Sequence, residues 1–163
     1  MYGIEFEARK SLGFLDPILS EFSIGANLSL IESEVDLTAS EINGKPRGTD
    51  TTRPLYDQSP YIFNADLNYD NRYLGTSASL IFTMAGPRIF FVNPVAQDVY
   101  EHPPNTLDFV LSQRLTRNMR MRLSAKNLLD LPYEVTYGDE PDKFVYTSYK
   151  RGITFGVSLA YDF

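Results

Sequence analysis

The sequence contains no cysteine, no tryptophan and only one histidine among its 163 residues. Without cysteine the chain can form no disulfide, no thiolate nucleophile and no cysteine-ligated metal site. It also lacks any apolar run approaching the roughly 18 residues of a transmembrane helix. The segment YGIEFEARK, after Met1, has neither the basic head nor the apolar stretch of a secretory signal. The net charge of −6 argues against nucleic acid as the main partner. Taken alone, these absences would favour a soluble, cytoplasmic protein.

What the sequence does contain is a repeated alternation of apolar and polar residues. In the last stretch, ITFGVSLAYDF, every second residue from Ile153 to Phe163 is apolar, and the residues between them are small or polar. A period of two is typical of a β-strand with one apolar face. Six further segments alternate in the same way, with exceptions such as Ile62: residues 2–10, 22–30, 61–69, 74–82, 107–115 and 119–127. No stretch has a convincing period of 3.6 residues. We therefore predict an all-β chain of about seven antiparallel strands.

The links between these strands are alternately short and long. The short ones are LGFLDPIL, DNR and TRN, whereas the others run over roughly residues 38–59, 84–104 and 130–147 and hold nearly all of the proline. In an up-and-down antiparallel meander, alternate links lie at opposite ends, so we expect tight turns at one end and long loops at the other. Bacterial outer-membrane barrels have this asymmetry, and roughly 9–11 tilted residues per strand are enough to cross a bilayer. The pattern therefore predicts part of a transmembrane β-barrel.

The polar sides of these strands carry charges of both signs. A charge that faces lipid costs roughly 2–4 kcal/mol at the midplane, so we expect these residues to face the lumen of a barrel. There they would hydrogen-bond water or other polar groups of a wet or plugged lumen, or some of them would line the path of a ligand. Aromatic residues near strand ends are typical of an interfacial girdle: Tyr2, Tyr61, Tyr69, Tyr73, Tyr161 and Phe163. The lumen-facing charged residues are predicted to be Glu5, Glu7, Arg9, Asp66, Asp108, Arg114, Arg120, Arg122 and Lys126.

Three stretches resemble a known family. YKRGITFGVSLAYDF, preceded by MRLSAKNLLDLPYEVTYG, resembles the last two strands of TonB-dependent outer-membrane receptors. RPLYDQSPYIFNADLNYDN resembles the stretch that leads into an earlier strand of the same barrels. The resemblance implies a barrel of about 22 strands, filled by a plug, that imports a small nutrient ligand such as an iron–siderophore complex with energy delivered through TonB. It implies outer-membrane lipid and the β-barrel assembly machinery as further partners. The signal read by that machinery would be Phe155, Val157, Leu159, Tyr161 and Phe163.

The sequence departs from complete members of that family, since it has no signal peptide, no TonB box and no plug domain. We therefore expect residues 1–163 to be the C-terminal segment of a receptor barrel, without the plug and the earlier strands. Two alternatives stay open. If RIFFV, residues 88–92, were an eighth strand, the chain could close as a small outer-membrane barrel with a structural or adhesive role. A soluble β-sandwich that acts as a binding module would also show alternation.

Residues suited to catalysis are scarce. A Ser–His–carboxylate set would have to use His102, the single histidine, and no serine has a nucleophile-elbow context. His102 also has no second histidine at the spacing that a metal site needs. The acidic residues Asp139, Glu140 and Asp142 are expected to form a hydrated loop. We therefore expect no enzyme, no catalytic residue, no cofactor and no metal site.

Overall fold

The computed structural model describes residues 1–44, 51–139 and 144–163. Short helical segments lie at Leu12–Phe14, Pro17–Leu19 and Ala39–Gly44, of which the last is an α-helix, α1. No helix within these ranges is long and apolar enough to cross a membrane. The strands in chain order are β1 (Tyr2–Ser11), β2 (Phe22–Glu32), β3 (Val35–Asp36), β4 (Thr52–Arg53), β5 (Tyr61–Asn71), β6 (Thr76–Ala85), β7 (Arg88–Phe91), β8 (Val99–His102), β9 (Thr106–Arg114), β10 (Met119–Lys126), β11 (Tyr133–Tyr137), β12 (Val145–Tyr149) and β13 (Thr154–Tyr161).

The long strands form one seven-stranded sheet, the main sheet, in the order β1-β2-β5-β6-β9-β10-β13. Each pair of neighbours is antiparallel, so the chain passes up and down without a crossover. The sequence-based prediction of an all-β, antiparallel meander is therefore confirmed, and each predicted segment overlaps one of these strands. β1 and β13 lie at the two edges, and no pairing between them closes the main sheet among the described residues.

The register of the main sheet places its apolar residues on one face. Leu28 lies between Phe6 and Phe63 on the neighbouring strands. Leu123, further along the sheet, lies between Leu111 and Val157. Because side chains alternate with a period of two, one slipped residue would have reversed a strand's faces. The observed register keeps the apolar residues of all seven strands on the same side, which gives the main sheet an apolar face and a polar face.

The two ends of the main sheet differ. At one end the links are short: residues 12–21, 72–75 and 115–118. In the second of these, Gly75 has a φ of 66°, a conformation that glycine adopts without steric cost. At the other end the links are long: residues 33–60, 86–105 and 127–153. The expected contrast between turns and loops is thus present, with boundaries displaced by a few residues.

Two of the long links build a second sheet that the sequence reading did not predict. This loop sheet has four strands in the order β12-β11-β8-β7. It contains Arg88–Phe91, so that segment is a strand but not an eighth member of the main sheet, and the eighth-strand alternative is wrong. The loop sheet also contains the most deeply buried side chains among the described residues, since Ile89, Val135 and Thr136 are at most 1% exposed. Fully burying a side chain of this size contributes about 1.5–3 kcal/mol.

The first long link contains the smallest elements. β3 pairs with β4, and α1 begins after Thr38. The Thr38 backbone N–H donates to Glu41 Oε2 at 2.9 Å, which is the reciprocal half of a capping box. This hydrogen bond holds the pKa of the Glu41 carboxyl below its usual value, with Arg53 contributing less. The helix spans only six residues, so its 3.6-residue period escaped detection in the sequence.

Candidate functional site

The apolar face of the main sheet is exposed over its whole width. Phe6 at one edge is 55% exposed, and Val157 at the other is 76% exposed. Seven strands at a spacing of about 4.8 Å make a surface roughly 30 Å wide. Monomeric soluble proteins rarely expose apolar patches larger than a few hundred Å². Within the described residues no second layer covers this surface.

The residues predicted to form an assembly signal lie at one edge of this face. Phe155, Val157, Leu159 and Tyr161 share the apolar face of β13. Phe163 follows the strand and is fully exposed, with its ring edge-on to Tyr161 at 5.2 Å between centroids. The backbone here is tied to the neighbouring turn, because the Asp162 N–H donates to Asn118 O at 2.9 Å. The edge strand thus presents a fixed apolar row that ends in an exposed ring.

The polar face contains all of the charged residues that were predicted to face a lumen. They are Glu5, Glu7 and Arg9 on β1, Asp66 on β5, Asp108 and Arg114 on β9, and Arg120, Arg122 and Lys126 on β10. Cross-strand pairing links them across the sheet, as in the row that runs from Arg9 through Gly25 and Asp66 to Ile81 and Asp108. The structure therefore brings these residues onto one surface but spreads them over its whole width.

On the β1 side of the polar face, three of the four charged residues have partners, namely Arg9, Asp66 and Glu5. Arg9 Nη2 lies 4.0 Å from Asp66 Oδ1, and the Asn68 amide donates to the other carboxylate oxygen. Gly25 makes this approach possible, because a Cβ there would lie 2.5 Å from Asp66 Oδ1. Glu5 accepts a hydrogen bond from Asn27 Nδ2 at 2.6 Å. Glu7 is the exception on this side, because it has no hydrogen bond or ion pair among the described residues.

Asp108 has a structural role at the end with the long links. Its Oδ1 accepts the Asn127 backbone N–H at 2.8 Å. The Asn127 side-chain amide donates in turn to Gly152 O, also at 2.8 Å. Asn127 has a φ of 59°, which asparagine tolerates better than most residues. The KNLLD segment that contributed to the family resemblance therefore joins β9, β10 and the start of β13.

The β10 side of the polar face is different. Arg120 lies directly opposite Arg114 across the strand pair, and Arg122 lies between two serines on its neighbours. Neither Arg120 nor Arg122 has an ion pair or hydrogen-bond partner among the described residues. Two adjoining hollows of about 420 and 370 Å³ open here. We name this the arginine–serine surface, and it consists of Arg114, Arg120 and Arg122 with Ser77, Ser79, Ser112 and Ser158.

The loop sheet has an ion-pair network that the sequence did not predict. Arg88 pairs with the buried carboxylate of Glu101 and, at 3.2 Å, with Asp57 Oδ1. The Tyr133 hydroxyl donates to the second oxygen of Glu101. Burial and this hydrogen bond raise the pKa of Tyr133 to about 12. Asp57, Arg88 and Tyr133 come from three different long links, so only the folded structure brings them into one network with Glu101.

A hollow of about 410 Å³ on the loop sheet is lined by four aromatic rings and two further residues: Phe90, Phe91, Asn93, Val99, Tyr137 and Tyr146. The Tyr137 and Tyr146 rings meet edge to face, with 5.7 Å between their centroids. The strands that carry the tyrosines, YEVTY and VYTSY, are rich in the aromatic and β-branched residues that favour strands. This enrichment is the sequence feature that could have predicted the two strands. Each run has only five residues, which is too short for the alternation to be recognised.

His102 is used structurally. Its Nε2 lies 2.8 Å from Thr136 Oγ1, and that hydroxyl donates its single proton to Gly138 O at 2.7 Å. Nε2 must therefore carry the proton and donate to the threonine. No group of three or more potential metal ligands occurs in the part of the chain that the structure describes. Of the acidic residues noted at 139–142, Glu140 and Asp142 lie outside it.

Comparison of the chain with protein-family models, with curated proteins and with solved structures finds no match.

Proposed function

We propose that this chain forms part of the wall of a bacterial outer-membrane barrel of the TonB-dependent receptor type. In this proposal the apolar face meets lipid, the polar face meets the interior, and the complete receptor takes up a small nutrient ligand. The observation that carries the proposal is the uninterrupted apolar face of the main sheet, for which the described residues provide no covering layer.

The division between the two faces supports a lipid partner. Burying apolar area contributes about 25 cal/mol per Å², so an uncovered face of this width would drive association in water. The nine charged residues lie on the opposite face, where they would avoid the cost of facing lipid. Strands of 8–11 residues have the length needed to cross the apolar layer when tilted. The apolar face, the position of the charged residues and the strand lengths are thus all consistent with a lipid bilayer as the environment.

The strand count supports membership in a larger barrel. β1 and β13 run in the same direction, because an even number of reversals separates the first and last strands of the main sheet. They cannot close an antiparallel barrel with each other. Further strands would have to pair with both edges, as the family resemblance implies. A small complete barrel would need closure between these edges, and a sandwich would need a second layer on the apolar face.

The ends of the sheet suggest an orientation. Outer-membrane barrels have short periplasmic turns and longer outer loops. The links at 12–21, 72–75 and 115–118 would therefore face the periplasm, and the loop sheet would lie outside the cell. The assembly machinery would read β13 and Phe163, and TonB would act through a plug. The ligand would be a nutrient such as an iron–siderophore complex.

A pair of tryptophan substitutions tests the lipid contact. The native chain has no tryptophan, so an introduced one is the sole emitter of its kind. Leu111 and Ser112 are adjacent in β9 and point to the apolar and polar faces. In vesicles of lipid with brominated acyl chains, we expect strong quenching of Leu111→Trp and little quenching of Ser112→Trp. Equal quenching, or failure of both variants to enter the vesicles, would contradict a lipid-facing apolar face.

The receptor class has a separate test. The open reading frame immediately upstream of the codon for Met1 can be read from genomic DNA. A plug domain in the same frame would support a TonB-dependent receptor. An upstream region that encodes no such domain would contradict this class and leave a soluble binding module as the alternative.

A further inference from the structure

The geometry of the polar face points to a second binding partner. We propose that the arginine–serine surface binds an acidic segment of a polypeptide through the carboxylates of that segment. The inference relies on the proposed function in one respect only, namely that the barrel interior is where such a segment would be held. The surface, its charge and its hydroxyl groups are features of the main sheet itself.

The first step is that the positive charge of this surface is uncompensated. Arg120 and Arg114 are directly cross-strand, and like charges in that position destabilise a sheet. The Arg114 guanidinium donates to Arg72 O at 3.2 Å, which is a backbone carbonyl and not a carboxylate. Asp70 lines the neighbouring hollow but forms no ion pair with these arginines among the described residues. The arginines therefore lack anionic partners within the described chain.

The second step is that no carboxylate of the polar face within the described residues forms an ion pair with Arg120 or Arg122. Asp66 is paired with Arg9, and Asp108 accepts the Asn127 N–H. Glu7 lies on β1, and five strand spacings, about 24 Å, separate that strand from β10. Asp70 and Asp162 lie closer on the same face, yet neither forms an ion pair with Arg120 or Arg122. The arginines are therefore open to carboxylates from another segment.

The third step concerns the shape of the partner. The surface extends over four neighbouring strands, β6, β9, β10 and β13, which is about 15 Å from the first to the last. Small anions are held by donors that converge on one point, such as a nest of backbone N–H groups. Here the backbone N–H groups belong to the strand ladders, and the side-chain donors are spread out. A polypeptide with several carboxylates fits this arrangement, since guanidinium groups bind carboxylates in a bidentate manner and serine hydroxyls add donors.

A peptide titration tests the inference. The chain is folded in zwitterionic detergent and is titrated against fluorescein-labelled hexaglutamate, with hexaglutamine as the uncharged probe. We expect hexaglutamate alone to raise the fluorescence anisotropy, and we expect its binding to weaken as salt is added. At the middle of the range measured for exposed ion pairs, the loss of two such pairs in Arg120→Gln/Arg122→Gln should weaken binding roughly fivefold to tenfold.

The matched control is Lys10→Gln/Lys126→Gln, which removes the same number of positive charges from outside the surface. It should bind hexaglutamate within about twofold of the native chain, and circular dichroism should show the same strand content in both double variants. Equal weakening of hexaglutamate binding in the two double variants would overturn the inference, because it would show that binding depends only on the net charge of the chain. Displacement of the peptide by equimolar inorganic phosphate would overturn it in favour of a small-anion site. Retained peptide selectivity in a chain that fails the bromolipid test would support this surface while contradicting its place in a membrane.

Discussion

The main sheet and the loop sheet differ in where their apolar residues lie. In the loop sheet, Ile89 and Val135 are at most 1% exposed, so this sheet carries its own core. In the main sheet, Phe155 is 74% exposed, and the whole apolar face is uncovered. Both are antiparallel sheets of one chain, so strand pairing alone does not decide burial. The loop sheet is thus stabilised by its own core, whereas nothing within the described residues covers the apolar face of the main sheet.

The two sheets also differ in whether their charged side chains have partners. In the loop sheet, Glu101 is buried and receives both Arg88 and the Tyr133 hydroxyl. On the β10 side of the main sheet, Arg120 and Arg122 have no such partners in the described ranges. Buried charge is tolerated where it is paired. The loop sheet meets that condition by itself, whereas Arg120 and Arg122 are exposed to solvent and do not require a partner there.

The largest expected effect is that of the surrounding medium on the main sheet. Without detergent or lipid, we expect residues 1–163 to be oligomeric or insoluble, because two unpaired edges and one apolar face are exposed. In zwitterionic detergent we expect a single species, as measured by sedimentation velocity. A monomer in plain buffer with a cooperative melt would contradict the comparison between the two sheets.

The next effect concerns a buried and an exposed isoleucine. Ile89→Ala should lower the free energy of opening of the loop sheet by about 2–5 kcal/mol, since Ile89 is fully buried. Ile24→Ala, on the apolar face at 48% exposure, should cost about 1 kcal/mol in detergent. Amide hydrogen exchange in β8 and β5 measures the two sheets separately. A larger loss for Ile24→Ala would mean that the apolar face is covered more tightly than the loop sheet.

Phe163 separates packing from recognition at the edge of the apolar face. Phe163→Ala should cost about 1.5 kcal/mol or less in detergent refolding of the complete receptor, because the ring is fully exposed apart from its contact with Tyr161. In cells, the family resemblance implies a severalfold larger loss of outer-membrane protein, measured by immunoblot of membrane fractions. Asp162→Asn is the control and should assemble almost normally. Normal assembly of Phe163→Ala would reduce the residue to a packing role.

The smallest effect is a pH dependence of the loop sheet. The pKa of Tyr133 is raised from 10.0 to about 12, so the folded state retains the phenol proton that the unfolded state releases. The stabilisation is therefore complete below pH 10 and is lost as the pH rises towards 12. Hydrogen exchange is too fast at this pH, so the fluorescence of a tryptophan introduced by Phe91→Trp would report the transition. Tyr133→Phe in that background should flatten the dependence, and an unchanged profile would rule out this tyrosine as the titrating group.

The sequence was informative wherever apolar and polar residues alternate over many positions. The pattern around Ile24 or Leu123 predicted a strand, its two faces and its place in a meander. The same reasoning failed for Ile89, because RIFF is a continuous apolar run that is too short to reveal a period. It also missed Glu101, since nothing near this residue in the sequence indicates Arg88 and Tyr133 as its partners. A local two-residue period identifies a strand. A core can be identified only from contacts between residues that are distant in the sequence.

By itself, the sequence determined the strands of the main sheet, their order and the division of their residues between two faces. The physical reason is that a two-residue period and short turns are local properties of the chain. Only the tertiary structure decided that two long links pair as the loop sheet, that Asp66 reaches Arg9 across Gly25, and that Arg120 faces Arg114. These features depend on the register between segments that are distant in the sequence, and register is set by the packing of the whole sheet.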